Sequence, residues 1–323
     1  MERVLICGGS GFIGQRLAEK LEQMKKSVWI ATRSPENFEG SFGKPVAWNP
    51  DGSKDSKLLQ AIKENKIDCL VNLAGDNIAE GRWTNDKKKR LVNSRIQSTQ
   101  TIVKSLQELA KEEIPSVVLQ ASAIGYYGDD HRENLDEKAS AGTDFLAKLC
   151  IDWEEAAKPI EEVEETRLVI LRIGVVLDRN DGAFQQMVQP FKFGAGGQLG
   201  DGSQGMSWIH SHDLVAMMVW MAQNDSCKGV YNATAPEPVT NKQFTKALGK
   251  VMRKPSFFRV PGVILEYALG EFANFLLHGP TVVPKKALKE GFEFRYPTLS
   301  RALFALVSTY APPAYIHEDL FKE

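Results

Sequence analysis

The succession of signals along the chain predicts an α/β fold, a doubly wound parallel sheet with a smaller, mixed and mainly helical C-terminal cap lobe. Two observations predict it. Short apolar runs alternate with amphipathic helical stretches from Arg3 to Arg172, and the first run opens directly into Gly8-Gly9-Ser10-Gly11-Phe12-Ile13-Gly14. Strands that alternate with helices are joined by crossovers and buried on both faces, which makes them parallel neighbours in one sheet.

Arg3 to Cys7 reads as a buried strand, followed by Ile13, Leu17, Leu21 and Met24 near helical spacing, and Ser27 to Thr32 as the second strand. Lys44 to Trp48 is a short strand, Asp55 to Lys66 a helix with Leu58, Leu59 and Ile62 inward, and Ile67 to Gly75 a strand ending in a turn. A long helix from Thr84 to Ala110 precedes the strand Ser116 to Ser122, and a helix from Asp144 to Lys158 precedes the strand Arg167 to Arg172. Near Ala183 the rhythm changes: a glycine-rich run spans Phe193 to Gly202, Asp213 is expected to cap a helix reaching Ala222, and Thr240-Asn241-Lys242-Gln243 has the pattern of a capping box. Residues 261 to 310 are helical in pattern, broken by Pro280, Pro284 and Pro297. A nucleotide-binding unit is therefore expected over residues 1–175, with later returns of the chain to its sheet, and the cap lobe over 176–323.

The glycine run carries the chemistry. Between a strand and a helix the chain must turn sharply and leave room for a pyrophosphate, and glycine permits both while the helix N-terminus offers unpaired N–H groups. Gly8, Ser10, Gly11, Phe12, Ile13 and Gly14 are the expected cradle, spaced G-x-x-G-x-x-G. At the end of the second strand, where an acidic residue would accept from adenosine ribose hydroxyls, stand Thr32-Arg33-Ser34. A guanidinium beside hydroxyls suits a 2'-phosphate, so NADP(H) is favoured over NAD(H), with Glu36 beyond Pro35 less well placed.

Composition narrows the class. Of 323 residues, 43% are hydrophobic and 25% charged, with a formal net charge of -1, so neither nucleic acid nor an anionic membrane is expected as a partner. Cysteines 7, 69, 150 and 227 lack C-x-x-C spacing and read as buried thiols. Met1-Glu2-Arg3 leads straight into the first strand and no apolar run suits a membrane span, so the expected location is cytoplasmic. Lys87-Lys88-Lys89-Arg90 is read as a solvated helix face, and His210-Ser211-His212 lacks a third ligand for a metal. Ser122 has no G-x-S-x-G setting, which argues against a hydrolase; Arg172 and Trp208 line the cleft between the lobes or serve structure.

Gly8 to Gly14, Asn72-Leu73-Ala74-Gly75, Ser94-Arg95, Ala121 to Gly128, Asp144-Phe145-Leu146-Ala147, Ser207-Trp208-Ile209-His210 and Thr234 to Asn241 span most of the chain. Together they resemble an atypical, extended short-chain dehydrogenase/reductase of the nucleotide-sugar epimerase-like branch, and more narrowly the YfcH- and SDR39U1-like epimerase family, with its small C-terminal domain at about residues 248–303. The resemblance implies a Rossmann-like, NADP-binding domain in which Asn72, Leu73, Ala74, Gly75, Arg95 and Lys148 contact the cofactor and Ser122 lies near the nicotinamide. It also implies a Tyr in a Y-x-x-x-K helix as proton carrier. Lys148 fits the lysine, but Asp144 stands where the tyrosine belongs. Either Tyr126 or Tyr127 supplies the phenol, with Ser122, in an oxidoreductase or epimerase acting on a hydroxyl or carbonyl of a small molecule such as a nucleotide sugar, or Asp144 is a helix cap and the protein is a nonenzymatic NADP(H)-binding sensor. Homodimers are common in the wider superfamily, which makes a homodimer one expectation.

Overall fold

The computed structural model describes residues 1–129 and 132–308, so the last fifteen positions of the expected cap lobe, 309–323, lie outside the described residues. β1 (Arg3–Cys7) leads into α1 (Phe12–Gln23), and β2 (Ser27–Thr32) and β3 (Lys44–Ala47) follow. α2 (Ser56–Glu64) crosses to β4 (Cys69–Asn72), α3 (Asn85–Leu106) to β5 (Val117–Ala123), and α4 (Phe145–Ala157) to β6 (Arg167–Ile173). The lobe begins with β7 (Val175–Leu177), α5 (Gly182–Lys192), β8 (Gly197–Leu199), β9 (Gly205–Met206) and β10 (Trp208–His210). α6 (Ser211–Gln223) and β11 (Gly229–Ala233) return to the sheet. The chain ends in β12 (Val239–Thr240), α7 (Asn241–Met252), β13 (Phe258–Val260), α8 (Gly262–Leu269), α9 (Phe272–Leu277), α10 (Lys285–Lys289) and α11 (Leu299–Val307).

Among the described residues seven strands form the main sheet in the order β3-β2-β1-β4-β5-β6-β11, every neighbour parallel. Alternate residues of each strand serve opposite faces. Val4, Ile6, Val71, Leu119 and Val169 pack under α1 and α6, while Leu5, Leu70, Val118 and Ile170 pack under α2, α3 and the end of α4. The order reverses between β1 and β4, and the crevice outside the carboxyl ends of these strands is where such a sheet holds a ligand. A separate core of Leu177, Phe184, Trp208, Phe244 and Leu303 supports the lobe.

The strand and helix expectations of the first 173 residues match these elements to within a few positions. In the lobe, the parallel pairs β7–β10 and β8–β13 and the antiparallel pair β9–β12 were not expected. Thr240 and Gln243 form the expected reciprocal cap of α7. Asp213 does not cap α6. The helix starts earlier, with His210 as its cap accepting from the His212 N–H, and the buried Asp213 carboxylate accepts the backbone N–H groups of Arg295 and Tyr296.

A belt of buried polar groups crosses the carboxyl half of the sheet on the α3–α4 side. Asn72 donates to Thr99 and Gln120, and Trp153 donates to Thr99. Arg172 of β6 meets Glu154 of α4 with two parallel bonds of 2.8 Å, and Ser122 donates to the same carboxylate at 2.7 Å. The remaining guanidinium nitrogen donates to the Tyr127 hydroxyl, which donates in turn to Asn232 of β11. Burial alone would lower the Arg172 pKa, but the hydrogen bonds and charge of Glu154 outweigh it and hold it above the ordinary value.

Removing one partner strands the other. Glu154→Ala is expected to lower unfolding free energy by about 3 to 5 kcal/mol in urea titration, because Arg172 remains buried without its counter-charge. A second expectation concerns His210, which stacks on Tyr296 at 4.0 Å and is held down to about 4 by burial, from an ordinary 6.5. Between those pH values the unfolded chain binds the proton and the folded one does not. Stability is therefore full above pH 6.5 and falls toward pH 4, by about 3 kcal/mol at about 1.4 kcal/mol per unit. Urea titrations across that window check it, with a flatter profile expected for His210→Asn.

Candidate functional site

At the carboxyl end of β1 the chain turns through Gly8, whose φ of +77° favours glycine. A Cβ there would stand 2.7 Å from the Ala74 nitrogen, so this turn and the loop after β4 meet backbone on backbone. At Gly14 a Cβ would come within 2.4 Å of the Gly9 Cα, which fixes how closely α1 seats on the turn. Gly11 is different: its backbone is extended and an added Cβ would meet no protein atom nearer than 3.4 Å. Neither packing nor conformation requires glycine there; a methyl group would fit at ordinary contact with the Gly8 carbonyl, at the mouth of α1. Among the described residues no side chain caps this helix, and its first turn carries no acidic residue, leaving the N–H groups of Phe12, Ile13 and Gly14 and the positive helix end for an anion. Ser10 stands exposed beside them.

From this cradle a cavity of about 630 Å³ extends along Thr32, Arg33 and Ser34 to the 37–42 loop, with Asn180 and Asp181 of the lobe also lining it. Arg33 is exposed and has no acidic partner among the described residues. Arg16, also on the wall, is committed to Glu19 and to Asp178 at 3.1 Å. Burial would raise the Asp178 carboxyl, but bonds from Ser211, the Asn180 backbone and Arg16 hold it below its ordinary value. Glu36 lies on a short turn and does not line the cavity, whereas Glu39 does. These surroundings fit a nucleotide with an additional phosphate near Arg33.

At the ends of β4 and β5 the candidate residues separate. Asn72 is buried, and its side-chain oxygen accepts the Ala74 N–H, shaping the Leu73-Ala74-Gly75 turn. Arg95 of α3 lies against Gly75 and over the Trp153 ring at 5.1 Å, donating to the Leu91 carbonyl, with no carboxylate paired to it among the described residues. Burial lowers its pKa. Ser122 is buried with its hydroxyl held by Glu154, and Tyr127 is sealed, its phenol shared among Arg172, Asn232 and the Asp136 carbonyl and pushed up in pKa by burial. Both hydroxyls, expected in the catalytic set, are thus buried and engaged within the protein's own hydrogen-bond network. Tyr126 does remain available. Its half-buried ring lies over the Arg172 guanidinium at 3.3 Å, and its hydroxyl has no partner among the described residues.

Of the two alternatives for the missing tyrosine of Y-x-x-x-K, the helix cap describes what Asp144 does locally. Asp144 is the cap of α4, accepting from Leu146 and Ala147, and Lys148 points to solvent. The helix face that meets Gly125 carries Leu146 and Cys150 instead, the thiol pushed up to about 12 by burial. One further reading changes in part. Lys87 is buried and bonded to Asp76 and Lys88 reaches Glu271 of the lobe, while Lys89 and Arg90 are exposed as expected. For Arg172 and Trp208 the structural alternative is the one seen, Arg172 in the polar belt and Trp208 in the lobe core with its ring N–H donating to the Glu237 backbone carbonyl. Sequence reasoning missed Glu154 and Asp178, for which no motif gives a signal. Among the described residues no three His, Cys, Asp or Glu side chains converge as metal ligands.

The comparisons agree with this geometry. A family model described as NAD dependent epimerase/dehydratase matches residues 4–234, and a domain of unknown function, DUF1731, matches residues 260–306. The chain is 36% identical over 304 residues to the Epimerase family protein SDR39U1 homolog, chloroplastic, of Arabidopsis thaliana, covering 94% of this chain and 86% of that one. It is 36% identical over 306 residues to Epimerase family protein YfhF of Bacillus subtilis, covering 94% and 98%. The crystal structure of human epimerase family protein SDR39U1 with NADPH superposes with a TM-score of 0.82 at 29% identity, covering 94% of this chain and 98% of that one.

Proposed function

We propose a function from one premise: the chain belongs to the NAD dependent epimerase/dehydratase family. On that premise it is an NADP(H)-binding, epimerase-like oxidoreductase acting on a hydroxyl or carbonyl carbon of a small molecule in the cytoplasm. The observation that carries this reading is the uncapped glycine cradle opening into a cavity walled by Thr32, Arg33 and Ser34. Gly8, Ser10, Gly11, Phe12, Ile13 and Gly14 hold the pyrophosphate, Thr32 and Arg33 the 2'-phosphate, and Asn72, Leu73, Ala74, Gly75 and Arg95 the nicotinamide half. The NADPH in the human structure supports the same cofactor.

Bound nicotinamide supplies a hydride donor and acceptor at one ring carbon. The chain must orient the substrate and exchange the accompanying proton. Tyr126 is the phenol placed to do so, its ring fixed by Arg172 beneath it. Ser122 acts through Glu154 as a positioning group, and Lys148 and Tyr127 take no part. Leu146 and Cys150 favour a second reading, a protein that holds NADP(H) without turnover, since Leu146 carries no ionisable group and burial keeps the Cys150 thiol protonated at neutral pH.

Calorimetry is expected to give tighter binding of NADPH than NADH, with Arg33→Ala removing about 1.5 to 3 kcal/mol of the difference. Equal affinities, or an NADH preference set by Glu39, would sink the assignment of Arg33. Against a panel of carbonyl compounds and nucleotide sugars, substrate-dependent NADPH oxidation is expected to fall at least about a hundredfold in Tyr126→Phe. Unchanged turnover in that variant removes Tyr126 from the mechanism, and binding without oxidation of any compound favours the second reading.

A further inference from the structure

One edge of the cap lobe is apolar and uncovered among the described residues. Phe193, just past α5, is 85% exposed, and Phe257, just before β13, is 77% exposed with Phe258 beside it. They belong to one edge because β13 pairs with β8, Phe258 lies opposite Gly197, and the chain at Gly194 meets the Pro255 ring. The Phe257 and Phe258 rings lie 4.6 Å apart. Farther along the same segment α8 buries none of its residues and exposes Val263, Ile264 and Tyr267.

Cations frame this edge. Lys192 adjoins Phe193, and Arg253, Lys254 and Arg259 bracket the phenylalanine pair; from 250 to 270 the sequence holds four cations and a single acid, Glu266. Lys192 and Lys254 are exposed and have no acidic partner among the described residues. Large apolar side chains gathered at a surface mark an interface.

We propose that this edge docks on an anionic lipid surface. Phe193, Phe257 and Phe258 enter the boundary between headgroups and acyl chains, and Lys192, Arg253, Lys254 and Arg259 meet the phosphates. Charge and shape select this occupant. A second copy related by a twofold axis would set this cationic patch against an identical cationic patch. A nucleic acid would use the cations and the ring faces but leave aliphatic Val263 and Ile264 without a role. A bilayer interface accommodates aromatic, aliphatic and cationic side chains together. Docking is peripheral, since among the described residues no helix is long and apolar enough to cross a membrane.

The test is co-sedimentation of the full chain with vesicles of phosphatidylcholine alone and of phosphatidylcholine with phosphatidylglycerol. Retention is expected on the anionic vesicles, weakened by salt, roughly thirtyfold weaker in the double variant Lys192→Gln, Lys254→Gln, and lost in Phe257→Ser, Phe258→Ser. Both variants should keep the parent's thermal unfolding midpoint. No retention, or equal retention on neutral vesicles, overturns the proposal. So does a dimer seen by light scattering, or a gel shift of single-stranded RNA, that disappears with the phenylalanine pair. None of these readouts uses the cofactor, so their failure is separate from any failure of the cofactor reading.

Discussion

Arg172 can be buried at the end of β6 only because Glu154 meets it from α4, and much of the architecture around the candidate site follows from that pairing. Desolvating a guanidinium and a carboxylate is costly, and here every guanidinium nitrogen and both carboxylate oxygens have a partner: two bonds between them, Ser122 on the carboxylate, Tyr127 on the remaining guanidinium nitrogen. Through Tyr127 and Asn232 the chain of bonds continues to the carbonyls of Leu135 and Val283, so β5, β6, β11, α4 and the segment before α10 share one network. Such a network tolerates little displacement, because any member that moves leaves another unsatisfied in a low-dielectric interior.

The same network limits the chemistry. Ser122 and Tyr127 looked available in the sequence because a hydroxyl's neighbours are not written beside it. Folding spends both on Glu154 and Arg172, and leaves Tyr126, one residue away, with its hydroxyl unpartnered among the described residues. The cofactor cradle has a comparable tie to the lobe. Arg16 of α1 reaches Asp178, which also accepts from Ser211 at the start of α6, so the helix that offers its N-terminus is anchored to the segment whose Asn180 and Asp181 bound the cavity.

Legibility followed the length scale of the signal. Five- to seven-residue apolar strands and long amphipathic helices state their own period, so the sheet unit was readable almost throughout. Strands of two or three residues such as β9 and β12 have no period to read, and the lobe's small sheets were therefore invisible. Phase was the second gap. Spacing by four relates Asp144 to Lys148 and Leu146 to Cys150 equally well; only the fold shows that the latter pair is the one packed against Gly125. Averages were the third: a net charge of -1 over 323 residues conceals the cations gathered around Phe257. Lys87, read as solvated, is buried because Asp76 lies within its reach.

The displaced phase bears directly on whether a cofactor held here is used. A tyrosine and lysine on the α4 face would couple a movable proton to a cation that favours its release. Leu146 offers no proton, and a thiol held near 12 stays protonated at neutral pH. Arg95 brings positive charge to the same edge from α3, against Gly75, but a guanidinium orients and does not give up its proton in this range. In the proposed mechanism charge and proton carrier therefore come from different elements, Arg95 from a helix and Tyr126 from the turn after β5. That separation preserves the electrostatics of a hydride-transfer site while making turnover depend on a single phenol, and it is why the enzymatic and the sensing readings part at Tyr126.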